Sequence, residues 1–415
     1  MKRLIFSFSV LFSWCVMAQT SFFTHPVSDR IKTLQVNVEG SPMSLPVIKL
    51  NDQKNIVIQF DEMSHDSKNY YYSIQHCDAD WTLSTISDME AIDGYTTGTI
   101  TESALSVNTT FLYTHYSLRF PNENTRMKLS GNYVVTIYED NDPDKVIAYA
   151  CFSVVDPHVI IRGTVRGNTD TEMNGRYQQL DFTIDNTNYP IRDVFSELHV
   201  VVRQNDRRDN EVVNIQPTYT TQSLQTYSNN KALIFEGGNS YRQFDISSVY
   251  LAAVGVNKIQ FMSPYYHTML YDDLIRAGRS FEKEVDVHGN YLINIQNHSQ
   301  DETEADYMYV HFSLPDEHPL FEGSLHLSGS FVYNQFNDSD RMNYNGQRQA
   351  YEQTLLLKQG GYNYLYLYTP KGATTGSSFP IEGSYWQTDN QYAIYTYYRP
   401  TGDRYDQLIG FTTIE

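Results

Sequence analysis

Cysteine is scarce in this chain, with three in 415 residues. They fall at positions 15, 77 and 151, too few for a small disulfide-framework protein. Positive charge is also in deficit: 30 Lys and Arg stand against 49 Asp and Glu, a net charge of −19. The basic residues are scattered and the chain as a whole repels nucleic acid and anionic head groups, so neither is expected as a partner. Beyond the N-terminus no apolar run reaches eighteen residues, which excludes a membrane-spanning helix. Helical periodicity is almost absent. No nucleophile elbow, H-E-x-x-H or glycine-rich phosphate loop occurs, so no enzyme class, cofactor or metal is indicated. Carboxylate pairs of the glycosidase kind fit any acidic β-rich chain and single out no residue.

The first eighteen residues have the layout of a secretory signal peptide. Lys2 and Arg3 provide the positive start, Leu4 to Val16 the apolar core, and Val16-Met17-Ala18 the small residues before a cleavage site. Loss of Lys2 and Arg3 takes the net charge from −19 to −21. Trp14 directly before Cys15 does not suit a lipid-attachment signal. Cys77 and Cys151 remain. A disulfide between them would close about 75 residues and contribute about 4 kcal/mol. Both lie in apolar strand-like runs, where buried free thiols are equally at home.

Tyrosine is abundant, 34 residues, and aromatics make up 14% of the chain. That points to strands with broad amphipathic contact faces. Period-two alternation recurs at 56–60, 70–75, 133–138, 147–155, 198–202, 307–312, 362–368 and 392–398. Polar turns such as Asp140-Asn141-Asp142-Pro143-Asp144 separate these runs. The pattern predicts an all-β fold of tandem immunoglobulin-like (early-set) β-sandwiches with a less regular middle β-domain. Boundaries are expected at Val155-Asp156-Pro157 and in the acidic stretch 297–304, giving units 19–155, 156–302 and 303–415. A short helical turn is expected at Tyr271 to Arg276.

Two clusters invite a metal reading. In His76-Cys77-Asp78-Ala79-Asp80-Trp81, His76, Asp78 and Asp80 would share one face of a strand. No second His/Cys cluster completes such a site, and a strand end with an Asx-type turn and Trp81 plugging the core edge is the better reading. Asp140, Asp142 and Asp144 open like a calcium loop. Lys145 then stands where glycine is needed and Cys151 where glutamate is needed, so an acidic hairpin tip is expected.

In Tyr362-Asn363-Tyr364-Leu365-Tyr366-Leu367-Tyr368 alternation would place four rings on one face and two leucines in the core. Tyr392 to Tyr398 could extend that surface. Such a platform would suit a protein partner or a sugar, while packing between sheets explains the same pattern.

Several segments resemble the plug protein family of the Bacteroidota type IX secretion system, formerly a domain of unknown function. They are Ile31-Lys32-Thr33-Leu34-Gln35, Pro46-Val47-Ile48, Tyr72 to Trp81 with its HCDADW hexapeptide, Gly131-Asn132-Tyr133, Leu356 to Tyr364, and Arg399-Pro400-Thr401-Gly402-Asp403-Arg404-Tyr405-Asp406. The resemblance spans nearly the whole chain after the signal. It implies a non-catalytic periplasmic protein that binds the outer-membrane translocon barrel SprA and closes its periplasmic opening when no substrate is engaged. Tyr362, Tyr364, Tyr366, Tyr368, Arg399 and Arg404 are the expected partner surface. Gly323 to Phe331 with Gly360-Gly361-Tyr362 also looks like early-set modules of starch-active enzymes, so a carbohydrate-binding accessory is the alternative. An outer-membrane barrel fits less well, because the chain closes on Thr413-Ile414-Glu415 and not on an aromatic residue.

Overall fold

The structure, a computed structural model, describes residues 21–171, 173–296 and 301–415. The expected signal peptide and Cys15 lie outside the described residues. All eight strongly alternating runs form strands, often extended by a few residues, as in Tyr70–Cys77 and Leu198–Gln204. Tyr271 to Arg276 is irregular and not helical. Its Asp273 and Arg276 side chains are drawn into ion pairs with Arg242 and Glu382.

The fold is three β-sandwiches. In the first, one sheet runs His25–Pro26, Val146–Val155, Gly131–Glu139, Tyr70–Cys77, Thr97–Thr99, with Val47–Lys49 parallel to Val146–Val155. The facing sheet runs Ile31–Val38, Ile56–Glu62, Thr114–Phe120, Glu102–Leu105. Ile58, Phe60, Ile74, Tyr133, Val135 and Phe152 fill the space between them, fully buried.

The second sandwich stacks Ile160–Arg166, Tyr177–Asp185, Leu224–Tyr227 and Tyr219–Thr220 on a sheet ordered Val212–Val213, Leu198–Gln204, Tyr392–Tyr398, Gln407–Ile414. The third joins Arg242–Asp245, Gly360–Pro370, Tyr291–Ile293 and Gly323–Ser328 to a five-stranded sheet, Val256–Met262 through Tyr265–Leu270, Tyr307–Pro315 and Ala350–Lys358 to Asn343–Asn345.

A cut at 302/303 does not follow these sheets. The last two strands hydrogen-bond to Leu198–Gln204, so they complete the second sandwich. Four strands before residue 303 pair with partners beyond it or with each other in the third sandwich. The third sandwich is therefore inserted into the second. Alternation reports that a segment is a strand and which face is apolar, but carries no information on its partner. Between Lys358 and Gly360 the chain passes from one sheet of the third sandwich to the other.

Candidate functional site

Strand Tyr70–Cys77 ends in a tight turn that carries the HCDADW hexapeptide. The Trp81 amide donates to the Asp78 carbonyl and the Asp78 amide to the Thr82 carbonyl, both at 2.9 Å. Asp80 Oδ1 accepts from the Thr82 amide and hydroxyl at 3.0 and 2.7 Å, an Asx-type closure. Trp81 takes a positive φ of 64° and is buried. Because the strand stops at Cys77, His76, Asp78 and Asp80 do not share a face. Among the described residues no group of three His, Cys, Asp or Glu could hold a metal ion.

The turn instead grips the C-terminal segment. Arg399 reaches Asp78 at 2.7 Å and Asp406 at 2.9 Å. The Ala79 amide donates to Asp406 Oδ2 at 2.9 Å, and the Asp406 amide donates to Asp78 Oδ1 at 3.2 Å. Arg404 pairs with Glu90 on the surface. Beneath this clasp His76 is buried edge-on to Tyr133 and Tyr405, at 5.1 and 5.3 Å between centroids. Its Nε2–H donates to the Ser130 carbonyl at 3.2 Å. Burial lowers its pKa to about 4, so the ring is neutral. Gly131, at φ 139°, passes so close that a Cβ there would strike the His76 ring. The family-like hexapeptide, the Gly131-Asn132-Tyr133 segment and Arg399–Asp406 are thus one structure, although 319 residues separate Thr85 from its acceptor Arg404. Asn132 links the parts: its Nδ2 donates to the Asp78 carbonyl, and its Oδ1 accepts from Ser153 and Tyr397.

Cys77 and Cys151 are free and buried. They share a face with Val134 and Trp81, but strand Gly131–Glu139 lies between their strands. Two inter-strand spacings put about 10 Å between them, beyond disulfide reach, so of the two readings open from the sequence the structure takes the buried free thiols. Burial pushes both thiols up, Cys151 to about 12, so neither is a ready nucleophile.

The tyrosine platform is also corrected. Tyr362, Tyr364 and Tyr366 are buried inside the third sandwich, with Tyr368 packed against its edge. Tyr364 and Tyr366 hydroxyls both donate to Asp273 Oδ2, at 2.8 and 2.6 Å, so their polar tips are satisfied without water. Leu365 and Leu367 are buried on the opposite side. Tyr392 to Tyr398 is buried on both faces: Tyr392, Ile394 and Tyr398 enter the second core, and Ala393, Tyr395 and Tyr397 pack towards the first sandwich.

A second seam, which sequence reasoning missed, joins the first and third sandwiches. Asp61 accepts from Lys358 at 2.6 Å, from Tyr307 at 2.7 Å and from His115 Nδ1 at 2.7 Å. Lys358 also donates to the Glu302 carbonyl at 2.6 Å and sits 4.5 Å over the Tyr113 ring. Burial alone would raise the Asp61 carboxyl, but Lys358 and His115 hold it below its ordinary value. The apolar repeat around Asp61 and Lys358 gave no sign that two charges would meet. A third buried set, Arg242 and Arg276 on Glu382, lies within the third sandwich at 2.9 and 2.7 Å.

These carboxylates and cations are neutralised by one another, and their geometry is that of fasteners between elements. Among the described residues no helix is long and apolar enough to cross a membrane.

Residues 31–156 match the family described as "Type 9 secretion system plug protein 1st domain". The chain is similar throughout to a hypothetical protein from Parabacteroides merdae solved by crystallography. The two are 42% identical with a TM-score of 0.94, over 95% of this chain and 100% of the other. A DNA glycosylase from Pseudomonas fluorescens bound to abasic-site DNA matches at 12% identity and a TM-score of 0.16 over 30% of each chain, too low to argue from. No curated protein matches the chain.

Proposed function

From the match of residues 31–156 to the first domain of the type 9 secretion system plug protein, we propose that the chain belongs to that family and is a non-catalytic protein of the periplasm. It seats on the periplasmic opening of the outer-membrane translocon barrel SprA and keeps that opening closed while no substrate is engaged. The observation that carries this reading is the matched first domain, Ile31 to Asp156, fastened to the rest of the chain by two seams. Blocking a wide opening calls for area and a fixed shape, and charge networks between sandwiches supply the second. The acidic balance disfavours adhesion to anionic lipid. The N-terminal leader provides export, and no cofactor takes part. A carbohydrate-binding role has less support, because the rings that would form its platform lie in the core.

A tagged copy used as bait in native, detergent-solubilised envelopes tests the proposal. Recovery of a very large outer-membrane barrel protein in near-equal amount is expected. Recovery of nothing beyond background would overturn it and turn attention to a polysaccharide array.

A further inference from the structure

We infer that the cavity where the three sandwiches meet is a binding site for a small organic carboxylate. The cavity has a volume of about 160 Å³ and takes its walls from all three units: Trp81 from the first, Arg203, Asp206 and Arg208 from the second, Tyr291 and Tyr333 from the third. That is about the volume that accommodates one small ring or a branched chain of similar size.

Two donor groups in this wall are incompletely paired. Trp81 is 5% exposed, and its indole N–H is buried with no hydrogen-bond partner among the described residues. Native interiors rarely leave such a donor unsatisfied, and a ligand or ordered solvent is the usual resolution. Arg208 stacks 4.6 Å over the same indole ring. Its one hydrogen-bond acceptor among the described residues is the Phe22 carbonyl at 2.6 Å, and no carboxylate lies within ion-pair distance of it. Arg203 differs, being neutralised by Glu211 at 2.8 Å and Asp206 at 3.6 Å. The wall therefore offers a guanidinium that feels Glu211 and Asp206 only at a distance and has no carboxylate in direct contact, and an indole N–H with no acceptor, beside tyrosine rings.

An anion with two acceptor oxygens and a short apolar body answers all of these features. Charge-assisted hydrogen bonds to a guanidinium are the stronger kind, and a planar carboxylate suits its fork. Asp206 at the wall argues against a doubly charged group, which selects a carboxylate over a phosphate. Occupancy would tie the three sandwiches together at their common point. The inference does not depend on the translocon reading.

The test uses the purified full chain, butyrate as probe and butyramide as its uncharged counterpart. Calorimetric titration and the Trp81 indole N–H resonance are followed together. Butyrate is expected to bind saturably and shift that resonance, with butyramide at least about tenfold weaker. Arg208→Gln is expected to weaken butyrate about tenfold, and Trp81→Phe, which keeps a ring in place, several-fold. Should Arg208→Gln fail to fold, Trp81→Phe and the butyramide comparison carry the test. No saturable butyrate binding, equal binding of butyramide, or unchanged binding in both variants would overturn the inference.

Discussion

The first sandwich is held to its neighbours by two seams of opposite character. Towards the third sandwich the fastening is a buried charge pair, with Lys358 and Asp61 side chains 2% and 1% exposed. Towards the C-terminal segment it is a half-exposed clasp, with Arg399 34% exposed between Asp78 and Asp406. In the buried seam a single unpaired charge has no water to turn to. In the clasp, solvent already shares the load. The same residue types therefore contribute very differently to stability.

The largest expected effect breaks the buried seam. Lys358→Ala strands the Asp61 carboxylate and should cost about 3–5 kcal/mol in urea unfolding, or separate the first sandwich as an early transition. Lys358→Met with Asp61→Leu removes both charges and should recover much of that loss. A loss from Lys358→Ala below about 1 kcal/mol would show that water reaches the pair.

Acid should distinguish the seams. His76 resists protonation in the folded chain, with a pKa of about 4 against 6.5 unfolded. Its contribution is complete above pH 6.5 and is lost as pH falls towards 4, by about 3 kcal/mol at most. Asp61, with its folded pKa depressed, contributes fully above about pH 3.9 and weakens only below it. Hydrogen exchange should therefore rise around 78–82 and 399–406 between pH 6.5 and 4, before the Asp61 seam responds. His76→Gln should flatten that window, and a pH profile unchanged by it would mean that another group titrates there.

The smallest effects grade the clasp itself. Arg399→Ala should cost about 1–2 kcal/mol, since Asp406 is nearly buried while Arg399 is screened by solvent. Arg404→Ala, on the exposed pair with Glu90, should leave the unfolding midpoint unmoved. Equal losses at the two arginines would remove the distinction between inner and outer clasp.

Both seams use segments that stand out in the sequence, yet neither was legible as a seam. The turn at HCDADW could be read, because Asx closure is a local hydrogen-bond preference of Asp80 and Thr82. Its partner Asp406 could not, since nothing local to residue 78 refers to residue 406. The tyrosine run misled for a different reason. Alternation normally separates an apolar inner face from a polar outer one. Both faces of Gly360–Pro370 are buried, and Asp273 from a distant loop satisfies the hydroxyls.

The sequence by itself determined that the chain is built of strands, where eight of them run, and which family it resembles. Those properties reside in local periodicity, composition and short motifs. Tertiary structure alone decided that the last two strands return to the second sandwich, that Cys77 and Cys151 stand one strand too far apart to bond, and that Asp61 meets Lys358. Those outcomes depend on which strand edges pair and which faces are covered, and an isolated strand carries no record of either.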